Sequence, residues 1–267
     1  MGYFLPRYVC RQQKSSGGLP IKDQNPESLS VVFPAFNEEE NVEYMVETAI
    51  EVLRALEVEW EIIVVDDGSS DRTAIIAEEL TQRYQGVKLV RHTENRGIGS
   101  AVRTGISSSS KTWIFYTDCD GQFDLNELGI LWNIRHNADV ISGFRRNRQD
   151  PLMRLMYSFA YNTLTYLFFF GGFKDVDASF KLFRRVIFDK VSIRSSSSVA
   201  DLELLLLPSK FGYKVRQIPV SHYPRRAGSV SCESYRNGIF AWVRIAPIME
   251  MFLQLAALRL RLWRGDA

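Results

Sequence analysis

Short apolar runs alternate with longer amphipathic stretches along the first half of this chain, and this alternation limits the folds that it can adopt. The apolar runs have the length and composition of buried strands; they fall at 29–33, 61–65, 87–90, 113–117 and 140–142. The stretches between them carry apolar residues at helical spacing; they cover 38–56, 71–84, 98–106 and 125–137. Because strands that alternate with helices form βαβ units, we predict an α/β fold with a mostly parallel sheet flanked by helices.

The second half of the chain continues with strands expected at 179–183 and 215–220 and a helix expected at 199–211. The first 28 residues contain Ser15-Ser16-Gly17-Gly18 and no sustained period, so we expect a flexible lead-in. We therefore predict three parts. They are a flexible N-terminal segment (1–28), one α/β domain (29–231) and C-terminal amphipathic helices (232–267).

The composition and the cysteines exclude several classes of protein. With 46% hydrophobic and 24% charged residues, the chain has the composition of an ordinary globular protein. A net charge of +2 does not suit a general nucleic-acid binder. Cys10, Cys119 and Cys232 form no CxxC pair, which argues against a disulfide framework or a zinc site and favours the cytoplasm.

The charge is unevenly distributed along the chain. Residues 34–80 contain 14 acidic and two basic residues, whereas residues 143–190 contain nine basic and four acidic ones. A basic second half suggests contact with an anionic partner such as phosphate or a lipid surface. The alternative is a set of solvated helix faces.

Two apolar stretches raise the question of a membrane span. Residues 155–173 lack charges but include Ser158 and other polar residues, and the C-terminal stretch contains Arg244 and Glu250. Charges are costly at the centre of a bilayer, so we expect amphipathic helices that pack on the domain or lie in a membrane interface. The alternative is that they belong to the core or to a dimer face.

Polar clusters follow four of the predicted strands, where ligands of an open parallel sheet gather; they are Pro34–Glu38, Asp66–Asp71, Asn95–Gly99 and Asp118–Gln122. Most of them are also compatible with an ordinary turn or helix N-cap. Asp118 and Asp120 are more specific, because two carboxylates this close repel each other unless a cation or donors neutralise them. With Gln122 they suit Mg²⁺ or Mn²⁺ shared with a substrate phosphate, although an Asx-rich turn stays open.

Several motifs together resemble those of glycosyltransferase family two, which has the Rossmann-like GT-A fold. The resemblance is found in the segments 31–39, 64–73, 95–99 and 118–122 (VVFPAFNEE, VVDDGSSDRT, NRGIG and DCDGQ). Later segments are similar to the dolichyl-phosphate mannose synthase and polyprenyl-phosphate glycosyltransferase branch. They are 142–145, 175–185 and 222–229 (SGFR, DVDASFKLFRR and HYPRRAGS).

The resemblance implies roles for individual residues. Nucleotide or phosphate contacts are implied for Pro34, Phe36, Glu38, Val65, Asp67, Asp118, Cys119, Asp120, Arg145, Arg154 and Ser158. Metal ligands are implied at Asp118, Asp120 and Gln122. Catalytic roles are implied for Asp118, Asp120, Arg154, Asp177 and Arg225. The arginines can instead pair with Asp150, Asp175 or Glu233.

The implied reaction is an inverting, Mg²⁺- or Mn²⁺-assisted transfer of a sugar from a UDP- or GDP-sugar to a polyprenyl phosphate. Such an enzyme is expected to lie peripherally on the cytoplasmic face of a membrane, as a homodimer or with a small membrane partner. An acceptor phosphate is already ionised at neutral pH and needs no protein base. Transfer to a glycan or protein hydroxyl would need one, with Glu203 the candidate. A third reading is a non-catalytic membrane-associated protein that binds nucleotide sugars.

Overall fold

A computed structural model of the chain describes residues 27–146, 161, 163–166, 168–169, 172–228 and 245–264, with only the backbone for 245–251. The predicted flexible segment at 1–28 lies almost entirely outside these residues. So do Arg154, Ser158 and most of the apolar stretch 155–173. The predicted division into three parts therefore stays a prediction.

The described residues form seven strands in one sheet. The strands are β1 (Ser28–Ala35), β2 (Glu59–Asp66), β3 (Val87–Arg91), β4 (Trp113–Thr117), β5 (Val140–Arg146), β6 (Phe180–Arg184) and β7 (Val215–Ser221). Each overlaps a run expected from the sequence. The central strands β1 and β4 are buried along their whole length, as apolar runs in a parallel sheet are expected to be.

The helices also fall where helical periodicity predicts them. They are α1 (Val42–Ala55), α2 (Thr73–Arg83), α3 (Ile98–Ser108), α4 (Leu128–Asn133), α5 (Val199–Lys210) and α6 (Ile245–Arg264). The stretch expected as one helix at 125–137 is instead α4 flanked by 3₁₀ turns at Leu125–Glu127 and Arg135–Asn137. Residues 161, 163–166, 168 and 169 are helical as well.

The strand order is β3-β2-β1-β4-β6-β5-β7. Strands β1 to β4 pair in parallel, and β6 inserts antiparallel between β4 and β5. The mostly parallel sheet flanked by helices is thus confirmed. Its order places the carboxyl ends of β1, β2 and β4 side by side, where the polar clusters lie.

The core is divided by the sheet into two apolar layers. Side chains alternate along β1, so that Val31 packs with α1 on one face and Val32 packs with α3 on the other. Helix α5 is buried on every side from Val199 to Pro208, because it lies between the sheet and α6.

Helix α6 confirms the amphipathic helix expected near the C-terminus. Leu255 and Leu258 are buried against the domain, whereas Phe252, Leu253, Leu260 and Trp263 are exposed. No helix in the described parts of the chain is both long and apolar enough to cross a membrane.

Candidate active site

The candidate site lies at the carboxyl ends of β1, β2 and β4, and hydrogen bonds tie its loops together. The hydroxyl of Ser69 accepts from the backbone N–H of Asn37 at 2.9 Å, and the hydroxyl of Thr73 accepts from the N–H of Glu38 at 2.7 Å. Asn37 has a positive φ of 55°, a conformation that asparagine tolerates better than most residues. The loops after β1 and β2 therefore form one rim, as expected for neighbouring parallel strands.

The predicted nucleotide contacts differ in how their side chains are placed. Phe36 and Glu38 are partly exposed on this rim. Pro34 and Val65 are opposite each other in the register of β1 and β2, and both are buried. Val65 is fully enclosed as a whole residue, backbone included, and a nucleotide contact from it stays a prediction.

Asp67 is another expected nucleotide contact, and its carboxylate forms hydrogen bonds within the protein. It accepts from the backbone N–H groups of Arg96 (3.1 Å) and Gly97 (2.9 Å). The ring of His92 lies 2.6 Å from the same carboxylate and 3.0 Å from the hydroxyl of Thr104. Asp67 thus links the loop after β2 to the loop after β3. If Asp67 binds a nucleotide, its position there depends on both loops.

Asp118 and Asp120 follow β4, with the buried thiol of Cys119 between them. Burial, followed by the charges of Asp120 and Asp201, raises the pKa of Asp118 to about 8. The hydroxyl of Tyr116 lies 3.4 Å from a carboxylate oxygen of Asp118, and a hydrogen bond from Ser179 partly opposes the rise in the pKa. Burial also raises the pKa of the Cys119 thiol, so this side chain is a neutral part of the core.

Gln122 connects this turn to the segment that follows β7. Its side-chain amide donates to the carbonyl of Tyr223 at 3.2 Å, and its backbone N–H donates to Asp120 at 3.0 Å. A bridge between Phe123 and His222 continues the contact. The residues after β7 are therefore held beside this turn, and they include Arg225, for which the resemblance implies a catalytic role.

Arg225 lies in that segment and reaches across the site. Its guanidinium donates to both carboxylate oxygens of Glu38 at 2.5 Å and lies 3.6 Å from Asp120. Asn41 donates to Glu38 and to the carbonyl of Ala227. Burial raises the pKa of Glu38 above 4.5, and the bonds from Asn41 and Arg225 oppose that rise. A nucleotide bound at Glu38 would therefore meet Arg225 as well.

Arg145 does not face the site as a free cation. It is nearly fully buried, and its guanidinium binds Asp175 through two hydrogen bonds of 2.8 Å each. Asp177, which is about one-third exposed, lies 3.5 Å from the same guanidinium. The pairing with Asp175, one of the alternatives that the sequence left open, is therefore the one found. A phosphate contact from Arg145 stays a prediction.

The two carboxylates of α5 are paired with cations. Asp201 binds Lys181, whose ammonium also donates to the carbonyl of Ala178 at 2.5 Å, and both charged side chains are buried. Glu203 is 1% exposed and binds Arg261 at 3.1 Å. Its other oxygen accepts two backbone N–H groups. The expectation that Glu203 could serve as a general base is therefore wrong, because its carboxylate is enclosed and fully bonded.

The residues at the two aspartates fit a divalent cation. The negative neighbours that raise the pKa of Asp118 would be offset by a cation bound beside Asp120, and carboxylate oxygens are the ligands that Mg²⁺ and Mn²⁺ prefer. Within the described residues no three His, Cys, Asp or Glu side chains converge on one point. A cation here would complete its shell with Gln122, water or a bound diphosphate.

Sequence reasoning missed three residues that organise the site. They are Asn41, His92 and Lys181, which hold Glu38, Asp67 and Asp201 respectively. Asn41 and His92 lie next to or in regular elements outside the quoted motifs, and Lys181 lies within the quoted segment 175–185 without a role having been assigned to it. A charged residue within the apolar run 179–183 was the one available signal, since a buried lysine requires a partner.

The parallel sheet, the added antiparallel strand and the carboxylate pair at the end of β4 define a nucleotide-sugar-dependent enzyme class, the GT-A glycosyltransferases. Solved structures share this fold. Mannosyl-3-phosphoglycerate synthase from Rubrobacter xylanophilus matches with a TM-score of 0.61 and 17% identity over 75% of this chain and 68% of that one. Glucosyl-3-phosphoglycerate synthase from Mycobacterium tuberculosis, solved with Mn²⁺ and UDP-glucose, matches with a TM-score of 0.57 and 18% identity over 76% and 73%.

Sequence comparison gives the family. The profile "Glycosyl transferase family 2" matches residues 30–192, and this chain belongs to that family. Proteins named dolichyl-phosphate beta-glucosyltransferase are similar to it. The one from Homo sapiens is 30% identical over 75% of this chain and 69% of its own length, and the one from Saccharomyces cerevisiae is 27% identical over 80% and 75%. The family and its polyprenyl-phosphate branch are thus confirmed, whereas the names of these relatives specify glucose rather than mannose.

Proposed function

We propose that this glycosyltransferase moves glucose from UDP-glucose to a polyprenyl phosphate with inversion at the anomeric carbon. Relatives that match 75–81% of this chain carry the name of that activity for the dolichyl acceptor. A structural neighbour has been solved with UDP-glucose, which supports uracil over guanine as the donor base.

The observation that carries the choice of acceptor is that Glu203, the candidate general base, is enclosed and paired with Arg261. A hydroxyl acceptor needs a base to take up its proton, and both carboxylates of α5 are held by buried cations instead. A phosphate monoester, with a second pKa of about 6, is mostly dianionic at neutral pH. It needs only to be positioned behind the anomeric carbon, so the geometry favours a lipid phosphate over a glycan or protein hydroxyl.

In this proposal Asp118 and Asp120, with Gln122, hold Mg²⁺ or Mn²⁺. When bound, such an ion supplies Lewis-acid stabilisation to the departing diphosphate. Arg225 contributes fixed positive charge beside the same carboxylates, in a planar fork that suits phosphate oxygens. Arg154 and Ser158 are proposed to bind the acceptor phosphate with it, although both lie outside the described residues.

We further propose that α6 rests peripherally on the cytoplasmic face of a membrane. Its outer side presents Phe252, Leu253, Leu260 and Trp263, with the exposed Arg259 and Arg264 flanking them. Apolar side chains bordered by arginines are the composition of a helix that lies in a membrane interface. A homodimer or a small membrane partner remains compatible with this arrangement.

The test is a transfer assay with radiolabelled UDP-glucose or GDP-mannose and either dolichyl phosphate or undecaprenyl phosphate. We expect an acid-labile glucolipid from UDP-glucose, lost on addition of EDTA and restored by Mg²⁺ or Mn²⁺. Asp118→Asn and Asp120→Asn should abolish it, whereas Glu51→Gln, at an exposed position on α1, should not. Full activity in EDTA would remove the metal from the proposal. Nucleotide binding without transfer to either lipid would favour the non-catalytic alternative.

A further inference from the structure

A serine-rich segment, residues 192–198, packs directly against the loop at 95–99. The backbone N–H of Gly99 donates to the carbonyl of Ser196 at 2.8 Å. A Cβ atom added to Gly99 would lie 2.2 Å from the carbonyl oxygen of Ser195, and one added to Gly97 would lie 2.5 Å from that of Ser196. Such distances are shorter than any van der Waals contact, so the close approach of the two backbones requires both glycines.

The loop at 95–99 in turn fixes a residue of the expected nucleotide site. The N–H groups of Arg96 and Gly97 donate to the two carboxylate oxygens of Asp67. Gly97 has a φ of +87°, which aims its N–H at Asp67 while its α-carbon faces the serine-rich segment. A displacement of that segment would therefore move the donors that hold Asp67.

Helix α6 binds the serine-rich segment on the side away from the 95–99 loop. The side-chain oxygen of Gln254 accepts from the hydroxyl of Ser197 at 2.8 Å, and its amide donates to the hydroxyl of Ser196 at 3.1 Å. Arg261, two turns further along α6 on the same side, donates to the carbonyl of Ser192 at 3.1 Å. The two side chains bind the segment near both of its ends.

Glu203 completes this connection from α5. One of its oxygens binds Arg261, and the other accepts from the N–H groups of Arg194 (2.8 Å) and Ser195 (3.0 Å). The pair is well shielded, with side-chain exposures of 10% for Arg261 and 1% for Glu203. Glu203 therefore holds the part of the segment that contacts Gly99.

We propose that α6 positions the 95–99 loop for donor binding through the serine-rich segment, with Gln254, Arg261 and Glu203 as positioning residues. This inference rests on the proposed function and deepens it. According to the proposal, the affinity for the donor depends on α6. The side of α6 that faces away from the serine-rich segment is exposed and apolar. The coupling follows a continuous set of hydrogen bonds and backbone contacts from α6 to Asp67.

Calorimetric titration of the full chain with UDP in the presence of Mg²⁺ tests the proposal. We expect Gln254→Ala and Arg261→Met to raise the Kd for UDP about five- to tenfold, the lower range of coupling between sites. The kcat at saturating UDP-glucose should stay within about twofold, because neither side chain is near Asp118 or Asp120 in the contacts described. Arg216→Met, at an exposed position on β7, is the matched control and should leave the Kd unchanged.

A charge-retaining variant and a double-mutant cycle separate positioning from general destabilisation. Arg261→Lys should recover most of the affinity lost in Arg261→Met. In a Glu203→Gln background, Arg261→Met should raise the Kd by less than it does alone, because the two residues act through the same contact. An unchanged Kd in both Gln254→Ala and Arg261→Met, or a fall in kcat without a change in Kd, would overturn the proposal.

Hydrogen exchange on the unmodified protein provides a test that needs no variant. Coupling is reciprocal, so saturating UDP should slow exchange of the backbone amides of Ser195 and Ser197, which lie outside the expected nucleotide site. If the protein binds UDP but the exchange rates of these two amides do not change, the inference is overturned. A protein that does not bind UDP would instead contradict the proposed function.

Discussion

Arg225 donates to both carboxylate oxygens of Glu38 at 2.5 Å, although 187 residues separate the two in the sequence. The same guanidinium donates to the carbonyl of Ala227 at 2.7 Å and lies 3.6 Å from Asp120. One side chain thus joins the loop after β1, the turn after β4 and the segment after β7. In the proposed function, these are the three parts of the site that meet the donor and the acceptor.

The first prediction concerns the charge and shape of Arg225. Arg225→Met should lower kcat/KM for the glucolipid about 100-fold, as loss of a fixed donor to developing negative charge typically does. Arg225→Lys should recover only part of this, because an ammonium lacks the planar fork of the guanidinium. Arg216→Met, an exposed arginine on β7, is the control. Wild-type kinetics in Arg225→Met would show that the acceptor phosphate is held elsewhere.

The second prediction concerns the buried pair of Lys181 and Asp201. Lys181→Met leaves a buried carboxyl without its cation, which costs about 3–5 kcal/mol of the free energy of unfolding. Urea unfolding followed by circular dichroism measures this loss. The double variant Lys181→Met with Asp201→Leu removes both charges and should recover most of the stability. A double variant no more stable than the single one would mean that Lys181 acts mainly through its contact with Ala178.

The third prediction is a pH dependence of stability at Glu61. Burial alone would raise its pKa, but hydrogen bonds from Lys88, Ser30 and Ser110 outweigh burial and lower it from 4.5 to about 2. The folded state therefore holds the Glu61 proton more weakly than the unfolded state. The resulting stabilisation is complete above pH 4.5 and is lost as the pH falls towards 2.

Urea unfolding at pH 6 and pH 3 measures the Glu61 effect. The wild type should lose about 2 kcal/mol more between these values than Glu61→Gln, by linkage from the two pKa values. Glu59→Gln removes a mostly exposed carboxylate from the same strand and should keep the wild-type pH dependence. Equal losses in the wild type and Glu61→Gln would contradict the lowered pKa.

The fourth prediction tests the outer side of α6 as a membrane surface. Leu253 and Trp263 are 63% and 82% exposed, so Leu253→Ser with Trp263→Ser should leave the melting temperature nearly unchanged. Binding to vesicles that contain phosphatidylserine should weaken at least about tenfold, given the free energy of burying such side chains. Ile75→Ser, on exposed α2, is the control. Equal vesicle binding by all three proteins would remove α6 from the membrane contact.

Local features of the site were predictable because they are encoded in short segments. The apolar run of β1 and the helical period of α1 follow from residues close in sequence, and so does the position of Asp118 and Asp120 after a buried strand. The motifs of the family add expected nucleotide and metal residues, which stay predictions. Contacts between distant segments were not predictable, and Arg145 is an example, since its pairing with Asp175 was one of several that the sequence left open.

The sequence by itself determined the α/β class, the positions of most strands and helices, and the family, because hydrophobic periodicity and motif spacing are properties of the chain read in order. Only the tertiary structure decided that β6 pairs antiparallel with β4 and β5. It also decided that Glu203 forms a buried ion pair with Arg261 instead of being available as a base, and that α6 contacts residues 192–198, which pack against the 95–99 loop. Strand order and the pairing of buried charges depend on which distant segments pack together, and many pairings satisfy the same local pattern.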